Sequence, residues 1–305
     1  MKNKIVMSLI ALFCCALWGL STPIVKLGYA YVDASHIPSL LLWVGIQFSI
    51  AGALIIAVSS ILSKKLVFPK KKSIKGVFLI ALFQTVLQYV ALYIGLSYTT
   101  AVKGAVLKSI DVFFVMLVAS LIFKQEKLTP KNIISCLIAF AGIIVMNLNG
   151  LELQINPLGD GLVVFAMLCY SFGPVLTKIF TQEEDPAVLC GYQMVLGGCV
   201  MLLIGVAFGG NVHVMRMLHI ILGLSVIYAV SYVLWTILLK YHPASKVSIH
   251  SFMTPVFGVL LSFLLLQEDG GVALPNLLIA LVLVSIGILL WGYQKKPKPL
   301  ERHIQ

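Results

Sequence analysis

The sequence predicts an all-α integral membrane protein with ten transmembrane helices arranged as two inverted five-helix repeats. Apolar runs of about 20 residues, enough to cross a hydrocarbon core about 30 Å thick, recur from end to end of the 305 residues. The chain is 60% hydrophobic and 11% charged, with a mean hydropathy of +1.03, whereas soluble domains are about 25% charged. Weak internal similarity recurs at about half the chain length. Backbone in lipid must bond to itself, and these runs lack the in–out alternation of barrel strands, so the runs read as helices.

The first run, 5–30, follows a basic start, as in a signal peptide, but continues through Ile24-Val25 without an A-x-A cleavage site, so it reads as an uncleaved first span. Nine more follow at roughly 38–62, 75–97, 101–123, 131–148, 158–180, 187–208, 217–239, 243–266 and 273–293. Short connections leave no room for a soluble catalytic domain. With the N-terminus inside, the cytoplasmic connections collect the lysines, including Lys64, Lys65, Lys70, Lys71, Lys72, Lys75, Lys124, Lys127 and Lys131. The other side keeps Lys26, Lys103 and Arg216. This asymmetry predicts a multi-pass plasma-membrane protein with both termini cytoplasmic. Gln182-Glu183-Glu184-Asp185 is acidic on the basic side, but acidic residues weigh little in the rule. The net charge of +11 and pI near 9.4 are therefore a topology signal, and lipid rather than nucleic acid is the expected surface partner. Six cysteines, Cys14, Cys15, Cys136, Cys169, Cys190 and Cys199, sit in or beside apolar runs without CxxC spacing. They read as small core residues rather than disulfides or metal ligands.

A shift of 152 residues aligns Trp18 with Tyr170, Lys26 with Lys178 and Asp33 with Asp185. A shift of 143 aligns Tyr89 with Tyr232, Tyr98 with Tyr241, Ala101 with Ala244 and Lys103 with Lys246. The repeats are placed at 1–150 and 151–294, with a basic tail at 295–305. An odd number of spans per repeat makes the copies enter the membrane from opposite sides, with a binding site near the midplane between them.

The first span carries Trp18-Gly19 and then Pro23-Ile24-Val25-Lys26. The fourth opens Tyr98-Thr99-Thr100-Ala101 and closes Phe123-Lys124-Gln125-Glu126. The ninth opens Pro243-Ala244-Ser245, passes Thr254-Pro255-Val256-Phe257 and closes Gln267-Glu268. In this order the motifs resemble the EamA-type branch of the drug/metabolite transporter superfamily over nearly the whole chain. Two departures are that Asp111-Val112-Phe113 replaces the fourth-span proline and Tyr170 the second-half tryptophan. The resemblance implies a transporter whose fifth and tenth helices lie outside a central cavity, and names no cargo.

Candidate site residues follow from intramembrane polarity. Lys108 and Asp111, three apart on one expected helix face, each cost about 2.5–3.5 kcal/mol on insertion scales. They suit a substrate carboxylate and a substrate amine or proton, or else a local ion pair. Gln84 and Gln88, four apart beside Tyr89, suit a polar solute or interhelical hydrogen bonds. Tyr232 and Trp235 on the eighth span suit a flat or cationic solute or plain packing. His250 has a titratable ring or a structural one. Pro255 is a candidate hinge, and Trp18 and Tyr170 face the cavity or pack. Lys26, Lys178, Glu126 and Glu268 sit at span ends, where headgroup or loop contacts are the simpler role.

No phosphate loop, HExxH or nucleophile set occurs, so no enzyme, cofactor or metal is expected, and active transport would couple to a proton or solute gradient. The reading is a secondary transporter of a small organic metabolite, an exporter of amino acids or related compounds working by alternating access. Its alternatives are a multidrug efflux pump of the same fold and a non-transport scaffold or lipid-handling protein.

Overall fold

The computed structural model describes residues 3–151, 154–266 and 272–292; Glu268 and the basic tail 295–305 lie outside them. Nine helices among the described residues are long and apolar enough to cross a membrane, and the shorter Pro130–Met146 makes the tenth. In chain order they are α1 (Lys4–Gly28), α2 (Ile37–Ser63), α3 (Lys71–Leu96), α4 (Val102–Ile122), α5 (Pro130–Met146), α6 (Pro157–Phe180), α7 (Pro186–Ala207), α8 (Leu218–Tyr241), α9 (Ala244–Leu266) and α10 (Leu274–Trp291). Local chemistry sets the starts. Asn3, Thr100, Thr129, Asn156 and Asp185 each accept a hydrogen bond from a first-turn amide, satisfying donors with no partner inside the helix. Pro130, Pro157 and Pro186 follow three of these caps, at the first helical position, where the missing N–H costs nothing.

Helix pairing follows an inverted two-fold. α3 packs on α6 as α8 packs on α1, and α4 packs on α6 as α9 packs on α1. α2 pairs with its counterpart α7, and α5 with α10. Two bundles result, α3–α4–α6 and α8–α9–α1, with the α2–α7 and α5–α10 pairs at the two ends. In lipid no hydrophobic force draws helices together, so close backbone packing must do it. A Cβ on Gly45 would lie 2.4 Å from the Leu202 backbone nitrogen, and one on Gly198 would lie 2.6 Å from that of Ser49. α2 and α7 therefore meet backbone to backbone.

Two spans expected to be continuous are broken. α4 runs as Ala101–Lys108, a turn at Ser109-Ile110, then Asp111–Leu117 and a π segment Val118–Ile122. α9 runs as Ala244–Ser248, a 3-10 segment Ile249–Phe252, then Met253–Leu266. A shift of 143 maps the start of α4's second half, Asp111, onto Thr254, one residue into the second half of α9. The breaks are repeat counterparts. Lys108 and Asp111 thus do not share an unbroken helix face. Pro255 falls in the first turn after the α9 break, where it displaces no helical hydrogen bond. α3 widens into a π segment at Ala81–Leu87, containing Gln84.

The acidic α6–α7 connection has its own explanation. Lys72 pairs with Glu183 at 2.8 Å, the Lys70 amide donates to Glu184 at 2.7 Å, and Lys240 Nζ donates to the Glu184 carbonyl at 3.4 Å. The acidic run knits the lysine-rich connections together.

Gly198→Leu is expected to collapse folded yield or lower the melting temperature sharply, because the nearest obstacle is backbone and overpacking costs about 1–3 kcal/mol or more. Gly223→Leu, where a Cβ would meet nothing within 4 Å, should behave as wild type. Thermal unfolding in detergent checks both, and equal behaviour of the two variants would refute the backbone contact.

Candidate functional site

The site starts from the break in α4. Lys108 ends the first half-helix and Asp111 begins the second. A helix C-terminus favours a cation and an N-terminus an anion, so the turn seats both charges where the backbone stabilises them. Asp111 Oδ1 accepts the Val112 amide at 2.7 Å, and Ser109 Oγ donates to the Ala105 carbonyl at 3.1 Å. The two charges do not close into a direct ion pair. Lys108 keeps an exposed side chain, and Asp111 is half-buried, within electrostatic reach of Cys15 on α1, Cys136 on α5 and Tyr170 on α6.

Beside this turn lies an aromatic cluster. Phe48 on α2 meets Tyr89 at 5.2 Å, Tyr228 at 5.3 Å and Tyr232 at 6.1 Å, ring centre to ring centre. Trp18 packs edge-on against Trp235 at 4.9 Å and Tyr232 at 5.5 Å. The side chains of the repeat counterparts Tyr89 and Tyr232 interact with each other, so the pseudo-two-fold passes close to them. Tyr170, the counterpart of Trp18, interacts with Tyr89 as Trp18 does with Tyr232. Trp18 Nε1 and Trp235 Nε1 in this cluster, and Gln88 Oε1 on α3 beside Tyr89 in the chain, are buried without a hydrogen-bond partner among the described residues. Unpaired buried polar atoms are costly, and the two indole donors, whose rings touch, are groups that a solute can satisfy.

The remaining candidates lie elsewhere. His250 is buried with both ring nitrogens engaged, Nε2 with Ser8 Oγ at 3.1 Å and Nδ1 with the Val247 carbonyl at 3.2 Å. Gln84 packs against Gly173 of α6, toward the lysine-rich face. Phe48, the hub of the cluster, carries no signal in the sequence, since a phenylalanine in an apolar run reads the same toward lipid or toward the interior. Tyr228 lies one turn before Tyr232 and was legible by that spacing.

The two faces differ. The second half of α4 packs on the first half of α9 at the lysine-rich face. There Ser245 donates to Glu126 from its backbone amide at 3.3 Å and from its hydroxyl, joining the two bundles. Lys178 does not reach outward to headgroups but donates to the Leu239 carbonyl at 3.1 Å. Toward the opposite face the first half of α4 packs chiefly on α6 and the second half of α9 on α1, with the exposed Lys108 at the separation. Thr99 and Lys103 bind Asp160 of α6, which stays within one bundle.

The EamA-like transporter family profile matches residues 5–148 and 157–293, one match per repeat. An uncharacterized transporter of Methanothermobacter thermautotrophicus is 27% identical over 70% of this chain, which spans 64% of that relative's length. One of Archaeoglobus fulgidus is 27% identical over 88% of this chain and 91% of the relative. The uncharacterized transporter YvbV of Bacillus subtilis is 26% identical over 95% and 92%. A crystal structure at 18% identity superposes with a TM-score of 0.74, covering 96% of this chain and 99% of the other, which establishes likeness of fold.

Trp18→Phe should leave the melting temperature unchanged or raise it, because the ring packing survives while an unsatisfied buried donor, worth about 1–3 kcal/mol, disappears. A clear fall in melting temperature would mean that the indole N–H has a partner in the resting protein.

Proposed function

The chain belongs to the EamA-like transporter family, and from that membership we propose that it is a secondary exporter of amino acids or related small organic metabolites, working by alternating access with both termini in the cytoplasm. The observation that carries this reading is the interrupted α4, with Lys108 and Asp111 on either side of its break and a counterpart break in α9. Discontinuous helices at corresponding positions of inverted repeats are where transporters bind substrate. Lys108 takes a substrate carboxylate. Asp111 takes the ammonium group, or a proton when the substrate has left. Trp18, Trp235 and Gln88 complete the hydrogen bonds, and Tyr89, Tyr170 and Tyr232 with Phe48 enclose the carbon skeleton. His250, already satisfied on both nitrogens, holds α9 to α1.

Alternating access then means parting the second half of α4 from the first half of α9 and closing the opposite halves. The Glu126–Ser245 contact is the bond that must break. Burial raises the Glu126 carboxyl above the usual carboxylate range, with the Ser245 donors and Lys178 opposing. Opening the face hydrates the carboxyl and returns it toward its ordinary value. Protonation therefore favours the closed face, and this stabilisation is fully present below the ordinary carboxylate range and lost as pH rises through the raised value.

Asp111→Asn is expected to abolish or uncouple amino-acid flux in proteoliposomes while the protein still elutes as a folded species. Unchanged flux and unchanged pH dependence would remove Asp111 from the mechanism. For the lysine-rich face, Lys108→Cys is labelled with an impermeant maleimide from that side, and its rate divided by that of a fully exposed cysteine at the same pH, which removes the thiolate's own pH dependence, should rise with pH. Adding Glu126→Gln, which mimics the protonated acid, should hold this ratio low at every pH. A pH profile that survives Glu126→Gln would assign the sensitivity to another group.

A further inference from the structure

A small cavity of about 10 Å³ lies between α3, α6, α7 and α8, on the lysine-rich side of the aromatic cluster. That volume is at the lower limit for one water-sized occupant. Its polar lining includes Gln84, Thr177, Gln193 and Thr236, beneath Tyr232 and Trp235. Each of the four is at least nine-tenths buried, Gln84 at 6% exposure and Thr177 at 5%. Among the described residues the side chains of Gln84 and Thr177 have no hydrogen-bond partner, although a buried polar group ordinarily has one. Gln193 Oε1 is already oriented, accepting from Thr85 at 3.4 Å. Gln84 sits in the π segment of α3, a departure from regular helix frequent at functional sites.

We propose that Gln84, Thr177, Gln193 and Thr236 bind a single sodium ion in this cavity, and that the ion is the coupling ion of the transport cycle. Apart from the Cys190 thiol, which also lines the cavity and is bonded to Gln193 and Thr236, the polar donors are oxygens. Amide and hydroxyl oxygens are hard ligands, which suit a hard cation. Among the described residues no carboxylate, lysine, arginine or histidine lines the cavity, so the site carries no charge to offset a divalent ion, whose protein sites use carboxylates. The position supplies the coupling. Gln84 and Thr177 belong to the α3–α4–α6 bundle, Thr236 to α8 of the other bundle, and Gln193 to α7. An ion held by all four ties the bundles together on the face that Glu126 and Ser245 also close. A ligand shifts a conformational equilibrium by its differential affinity for the two states, so sodium held here favours the closed lysine-rich face and leaves when that face opens.

The binding claim needs no transport, and only the coupling rests on the exporter reading. Purified protein is melted in sodium, potassium and choline chloride at constant ionic strength. Sodium is expected to raise the melting temperature saturably, potassium much less and choline not at all. Thr177→Val, which keeps shape and removes the oxygen, should weaken the apparent sodium affinity at least tenfold, and Thr236→Val should do likewise. Identical melting of the wild-type protein in sodium and choline, or equal stabilisation by potassium, would overturn the site. Sodium binding with proteoliposome flux indifferent to a sodium gradient would overturn the coupling while leaving the exporter reading intact.

Discussion

Every backbone amide and carbonyl inside the hydrocarbon must find its partner within the protein, and the rest of this structure follows from that constraint. It forces the apolar runs into helices. It makes glycine contacts such as Gly45 and Gly198 the means by which those helices associate. It also decides where a helix can be interrupted. Each break or π segment in α3, α4 and α9 frees backbone groups, and such segments survive at membrane depth only where other protein or water reaches them. The irregular segments therefore mark the interior of the molecule independently of which side chains they carry.

The same constraint explains how a lysine and an aspartate persist mid-span. In an unbroken helix both would face the insertion cost without help from the backbone. The turn at Ser109-Ile110 gives Lys108 a helix C-terminus and Asp111 a helix N-terminus, with the Val112 amide donating to the carboxylate. Because the helix ends stabilise each charge separately, the two need no direct ion pair, and both remain available to a third group. The α9 counterparts of these positions are Ser251 and Thr254, so the break is symmetric while the charge is not. Among the candidate residues the first repeat carries Lys108 and Asp111 together with Trp18, Phe48 and Tyr89, and the second carries Tyr228, Tyr232 and Trp235.

Much of the fold was legible because the signals that set it are local. Apolar length located the spans, and caps such as Thr129 before Pro130 located their starts. Lysine asymmetry separated the faces, and two shifts in register exposed the repeat. The sites of interruption were not legible. Nothing at Ser109-Ile110 resembles a helix breaker, and no proline or glycine marks the π turn at Gln84. The opening of a hydrogen-bond ladder there is decided by packing against α6, where Gly173 lets the Gln84 side chain approach. The site was partly legible for the same reason. Trp18, Tyr89, Tyr170 and Tyr232 stood out through repeat symmetry, whereas Phe48 has neither polarity nor a repeat partner to single it out. His250 shows the opposite case, since a titratable residue in a span invites a functional role and here both ring nitrogens are engaged, by Ser8 and by the Val247 carbonyl.

Inverted symmetry also gives the asymmetry of the two faces its meaning. A protein that obeyed its pseudo-two-fold everywhere would show the same contacts between α4 and α9 at both ends. Here the halves nearest the lysine-rich face are packed together and bonded through Glu126 and Ser245, while the opposite halves lean on α6 and α1. On the alternating-access reading proposed above, the exchange of these environments between repeats of the same architecture is the second conformation, reached without remaking the α2–α7 or α5–α10 pairs. On that reading the end pairs stay fixed, since glycine contacts such as Gly45 and Gly198 in α2–α7 and Gly287 against the Ser135 carbonyl in α5–α10 leave no slack, and the central bundles rock against each other across aromatic edges and a few hydrogen bonds. The distribution of tight and adaptable packing in the molecule is what the proposed alternating access requires.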